Sequence, residues 1–79
     1  MNIDQLVTMA NDICTFFDSE VGAADAPKSV ASHISRFWDP RMRAQIIAHV
    51  AAGGEGLKAS AIDAVRALPP PPSRTAVSV

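Results

Sequence analysis

Apolar residues in the first part of the chain fall at Ile3, Leu6, Val7, Ala10, Ile13, Cys14 and Phe17. Steps of three residues and one trace a single face of an α-helix and do not fit the alternation of a strand. The pattern predicts a helix over residues 3–17, with Asn2 as its cap and Asp4 near the positive end of its dipole. Phe16 lies off the stripe, where it either widens the buried face or points at a partner. The stretch DSEVGAADA, residues 18–26, breaks the pattern with Gly22 and small polar residues, and is read as a surface loop with solvated acids. Pro27 fits the first turn of a second helix, with Asp25 as its cap and Val30, Ile34 and either Phe37 or Trp38 on its apolar face. That helix is short and ends near Trp38.

The pair Asp39-Pro40 is the sharpest local signal. A residue before proline disfavours the helical region, so the chain must break there. The Asp39 carboxylate can then accept from the next turn, and Pro40 has its φ already set for the first helical position. A third helix is predicted over residues 40–52, with Met42, Ile46, Ile47 and Val50 on one face. GGEG, residues 53–56, stops it with glycines that tolerate left-handed backbone. A fourth helix over residues 57–68 aligns Leu57, Ala61, Ile62, Val65 and Leu68. PPPPSRTAVSV cannot continue it and favours an extended polyproline run or disorder. The fold class is all-α: a small bundle of three to four short helices over residues 1–68, with an extended Pro-rich C-terminal tail over residues 69–79.

A chain of 79 residues is one domain at most. At this size folding buries only about 60% of the unfolded surface, so stability is marginal without a staple. The single cysteine, Cys14, allows no internal disulfide. Cys14, His33 and His49 stand apart, without the spacing of a metal site. That leaves burial against a partner. No apolar run reaches the roughly 20 residues of a membrane span. The acidic start MNIDQLV does not read as a secretory signal, so a soluble, intracellular protein is expected. The net charge is only −1, but it is unevenly spread: residues 1–25 carry five acids and no base, whereas residues 28–43 carry Lys28, Arg36, Arg41 and Arg43 against Asp39. Such polarity favours oriented docking over general polyanion binding.

No catalytic constellation emerges. Cys14 lies on an apolar stripe, where a free cysteine packs as a small hydrophobe. His33 is expected at the edge of the second helix's apolar face, and His49 near the negative end of the third helix's dipole. GGEG lacks the preceding strand and the lysine of a phosphate loop. The turn between the second and third helices allows an alternative, a small helix-turn-helix-like DNA-binding module presenting Arg41 and Arg43. A slightly acidic domain argues against nucleic acid. The favoured reading is a protein interface built from HISRFWDPRMR: His33, Arg36, Phe37, Trp38, Asp39, Arg41 and Arg43. Trp and Arg dominate interface hot spots. Of Phe37 and Trp38, one is expected in the core and the other at the interface.

LVTMANDICTFF, residues 6–17, followed by HISRFWDPRMRAQIIAHV, residues 33–50, and GEGLKASAIDAVRAL resembles the delta subunit of soluble NAD-dependent formate dehydrogenase. The most specific part is RFWDPRMR; the family often has a further basic residue where this chain has Ser35. The resemblance implies a non-catalytic accessory subunit in the bacterial cytoplasm. Its partner would be the alpha (large catalytic) subunit, carrying a molybdenum or tungsten bis-guanine-dinucleotide cofactor and iron–sulfur clusters. Beta and gamma subunits would carry FMN and further clusters and reduce NAD. No cofactor, metal or catalytic residue is expected in this chain itself, and neither nucleic acid nor membrane as a partner. Its work would be complex stability, or insertion and retention of the cofactor.

Overall fold

The computed structural model describes residues 2–68, and within them the chain forms four helices and no strand: α1 (Ile3–Val21), α2 (Ala26–Phe37), α3 (Pro40–Ala51) and α4 (Ala59–Arg66). The all-α bundle is as expected. The expectation for the Pro-rich tail lies outside the described residues.

The start of α1 follows its sequence signal. The Asn2 side-chain oxygen accepts from the Asp4 amide at 2.7 Å, satisfying one of the orphan donors of the first turn. The end does not: α1 runs through Asp18, Ser19 and Glu20 to Val21, so the expected loop is reduced to residues 22–25. Ser19 and Glu20 occupy the outer face of the helix, exposed to water, and nothing there opposes helical backbone. Termination waits for Gly22, whose φ of 85° a side-chain-bearing residue would resist. Asp18 is held by Lys58, whose Nζ lies 3.6 Å from its carboxylate. Asp25 takes the N-cap place of α2 but makes no side-chain cap bond. Its backbone is already near-helical (ψ −13°), not in the extended conformation that aims a capping oxygen at the next turn.

At the junction of α2 and α3 the expected cap forms. Asp39 is extended, and its Oδ1 accepts from the Met42 amide at 3.0 Å. Arg43 Nη1 donates to the Trp38 carbonyl, 2.6 Å away, tying the corner to the first turns of α3. Asp39→Ala should therefore lower stability by about 0.5–2 kcal/mol, the usual worth of such a cap. Urea denaturation followed by circular dichroism at 222 nm measures it, and an unchanged midpoint would show that the cap is dispensable.

Beyond α3, Gly54 is buried with a φ of 69°, and a Cβ there would sit 3.1 Å from Ile62 Cδ1. The left-handed backbone favours glycine there, and a side chain would also press on Ile62, which would have to shift by a few tenths of an ångström. His49 Nε2 donates to the Glu55 carbonyl at 2.7 Å, so the proton resides on that nitrogen and the ring straps the GGEG loop to its own helix. Asn11 performs the same service from α1. Its Nδ2 donates to the Gly56 carbonyl and its Oδ1 accepts from the Lys58 amide, both at 2.9 Å. Residues 57 and 58 are thereby drawn out of the helix predicted to begin at Leu57, and α4 starts at Ala59.

The core lies where the stripes converge. α1 packs on α2, α3 and α4, and α4 closes the bundle against α2 and α3. Leu6, Ala10 and Cys14 of α1 meet Val30 and Ile34 of α2, Ile46 and Val50 of α3, and Ala61, Ala64 and Val65 of α4. Ala10 on α1 and Ala61 and Ala64 on α4 lie among the larger side chains of this core. Trp38, from the corner, completes this core at 4% exposure.

Candidate partner-binding surface

The break at Asp39 decides the fate of the two adjacent aromatics. Phe37 is the last residue of α2 and projects outward at 70% exposure. Trp38 leaves helical backbone for an extended conformation (φ −88°, ψ 136°), and its indole enters the core. The alternative left open by the sequence is resolved: Trp38 is the core residue and Phe37 the surface one. Trp38 still forms part of the wall of a surface hollow, together with Met9, Ile13, His33, Phe37 and Met42.

Phe37 is not isolated. Its ring stands 4.7 Å from the imidazole of His33, tilted by 42°. His33 in turn meets Phe17 edge-on at 6.1 Å, and Phe17 meets Phe16 edge-on at 5.0 Å. Such edge-to-face pairs contribute about 0.5–1.5 kcal/mol each beyond burial. The result is a row of four rings across the seam between α1 and α2. Its two ends, Phe16 at 58% exposure and Phe37, are the large aromatic side chains left in water among the described residues. His33 is thus the hub of the surface, half-buried between rings.

Three hollows open around this row, all touching His33. One lies against Asp12, Ile13, Phe16 and Phe17. The second is the one walled by Trp38. The third lies on the α2 side, lined by Phe17, Ser29, Ser32, Arg36 and Phe37. Apolar floor, exposed rings and a rim with Asp12 on one side and Arg36 on the other make one continuous face.

The sequence-predicted residues therefore divide. His33, Arg36 and Phe37 gather on this face. Asp39 and Arg43 are engaged in holding the α2–α3 corner, with Arg43 half-buried. Arg41 is exposed in the first turn of α3. Phe16, which the sequence left between the buried face and a partner contact, is exposed here, and Met9, Asp12, Ile13 and Met42 were missed. Their neighbours come from another helix, and spacing along one helix does not reveal them.

Among the described residues no three His, Cys, Asp or Glu side chains come together to hold a metal ion. Cys14 is buried, and burial pushes its thiol above the usual value of 9.0. The folded state thus favours the neutral thiol. As pH rises past about 9 the unfolded chain loses this proton first, so stability falls on the alkaline side. The melting temperature should drop between pH 8 and pH 10, on the order of one thiol's linkage, and the drop should be smaller in Cys14→Ala. Equal pH slopes for the two proteins would contradict this. No helix among the described residues is long and apolar enough to cross a membrane.

No curated protein and no solved structure matches the chain. The model of one protein family does match, over residues 5–65, a span that takes in all but the first two residues of α1, the whole of α2 and α3, and α4 as far as Val65, and so contains the whole ring-lined face. That family is described as the NADH-dependent formate dehydrogenase delta subunit FdsD, and with most of its length inside the match the chain belongs to it.

Proposed function

We propose that this chain is a non-catalytic accessory subunit that binds the large catalytic subunit of an NAD-dependent molybdenum or tungsten formate dehydrogenase, through the face centred on His33. The observation that supports the reading is the pair of exposed rings, Phe16 and Phe37, beside apolar hollows on one side of a domain this small. Contiguous exposed apolar surface marks an interaction site, because water penalises it in the free molecule and a partner relieves the penalty. Arg36 on the rim supplies a fixed positive charge to orient the encounter.

In this reading the chemistry belongs to the other subunits. The alpha subunit holds the bis-guanine-dinucleotide cofactor and iron–sulfur clusters, and the beta and gamma subunits hold FMN and further clusters and reduce NAD. The delta chain covers apolar surface on the alpha subunit and so supports complex stability or the insertion and retention of its cofactor. A permanent subunit remains at a fixed ratio in mature enzyme; an assembly factor is found only with immature forms.

The test is co-expression with the alpha subunit, one of the two tagged. Copurification through a salt wash is the expected result. Failure of the two chains to associate at any ionic strength would overturn the proposal.

A further inference from the structure

We infer that the hollow walled by Trp38 is a binding site for a soft monovalent metal ion of the copper(I) kind, with Met9, Met42 and His33 as its ligands. The inference does not rest on the docking reading, although the hollow lies on the same face.

The chemistry of the walls carries the argument. Met9 from α1, His33 from α2 and Met42 from α3 border one surface hollow, and Asp12, Ile13 and Trp38 border it with them. Two thioethers and an imidazole are donors that suit copper(I). Magnesium and calcium take oxygen ligands, and copper(II) favours a planar set of nitrogen and oxygen. Two of the chain's three methionines thus face the same hollow as one of its two histidines. They stand at positions 9, 33 and 42, scattered along the sequence, so no spacing announces them.

His33 is available for the task. Its ring touches Phe17 and Phe37, and neither of its nitrogens has a hydrogen-bond partner among the described residues. His49 differs, since its Nε2 is engaged by the Glu55 carbonyl. A neutral imidazole carries one nitrogen with a free lone pair, the commonest metal donor among side chains. The methionines adapt to it. Both are half-buried and packed against the core. Each thioether swings on three rotatable bonds, so the sulfurs adjust to an ion while three helices fix their starting points.

The surroundings favour a single positive charge. Ile13 and Trp38 present apolar wall, and the Born cost of burying an ion there rises with the square of its charge. The indole is the ring that attracts cations most strongly. The exposed carboxylate of Asp12 on the rim balances the charge.

The test titrates the full chain with copper(I) in the absence of oxygen. Trp38 is the chain's one tryptophan, so its fluorescence reports on this hollow. The expected result is uptake of one ion per chain with quenching of that fluorescence, and an X-ray absorption spectrum showing sulfur and nitrogen neighbours. Met9→Leu with Met42→Leu conserves volume, so the fold is kept. A residue that only orients a metal ligand is worth about 10–100-fold in affinity, so loss of both sulfurs should weaken uptake by more than about a hundredfold. His33→Phe keeps a ring beside Phe37 and should weaken it by about tenfold or more. Cys14→Ala removes the buried thiol and should take up the ion as the wild type does. No uptake, uptake that survives the double methionine variant, or uptake that is lost in Cys14→Ala would each overturn the inference. Copurification with the alpha subunit tests the docking reading separately, and neither result decides the other.

Discussion

Trp38→Ala should leave the isolated chain largely unfolded at 37 °C. The indole is 4% exposed and joins the α2–α3 corner to the core formed by the other helices. Truncating a buried aromatic to alanine costs about 3–5 kcal/mol, from lost transfer free energy plus the cavity left behind. A natural domain holds roughly 0.05–0.15 kcal/mol per residue, so a chain of 79 residues has on the order of 4–12 kcal/mol in total. One substitution thus removes between about a quarter and all of it. Trp38→Phe retains most of the volume and should lose far less. Thermal unfolding by circular dichroism measures both. A Trp38→Ala protein that melts within a few degrees of the wild type would show that the indole does not support the core. Any loss of partner binding on truncating Trp38 therefore reports unfolding first, and does not by itself assign the residue to the interface.

The double substitution Phe16→Asp with Phe37→Asp should do the converse, abolishing association while leaving the fold intact. Both rings are more than half exposed, so little core is lost. The edge contact of Phe16 with Phe17 and the contact of Phe37 with His33 contribute at most about 1.5 kcal/mol apiece. At an interface, by contrast, an aromatic anchor is worth about 2 kcal/mol or more on truncation, and an unpaired carboxylate in its place adds a desolvation cost. At tenfold per 1.4 kcal/mol, two anchors correspond to a loss of about two to three orders of magnitude in affinity. Titration of purified alpha subunit measures it, with Arg41→Ala as a comparison outside the hollows. Unchanged affinity in the double variant, with its helicity preserved, would remove this face from the interface.

Much of the fold was legible because its determinants are local. Asp39-Pro40 breaks and restarts a helix through steric restriction and one carboxylate, both set within four residues. GGEG ends α3 through backbone conformations that glycine supplies. The apolar steps of α1 identify Leu6, Ala10 and Cys14 as the buried line without knowledge of what they touch. What escaped depends on distance along the chain. Asn11 looks like an ordinary polar residue, and its partners Gly56 and Lys58 lie 45 and 47 positions away. That pairing also shortens α4 at its start. The last turn of α1 escaped for a different reason. Polar residues on an outer helical face resemble a loop in composition, and only Gly22 marks the true end.

The candidate site was half legible for the same reasons. HISRFWDPRMR announces an unusual concentration of rings and guanidinium groups, and His33, Arg36 and Phe37 do gather on one face. Which of Phe37 and Trp38 turns inward depends on a single residue of helix phase at the break. From α1 the sequence left Phe16 between a wider buried face and a partner contact, and its place is decided only when Phe17, His33 and Phe37 close a row across two helices.

Hydroxyl-radical footprinting of the side chains, free and in the assembled enzyme, tests the docking face most directly. Phe16 and Phe37 should be oxidised readily in the free chain and strongly protected in the complex, while Val21, exposed at the far end of α1, should react alike in both. Equal oxidation of Phe16 and Phe37 in the two states would contradict the account.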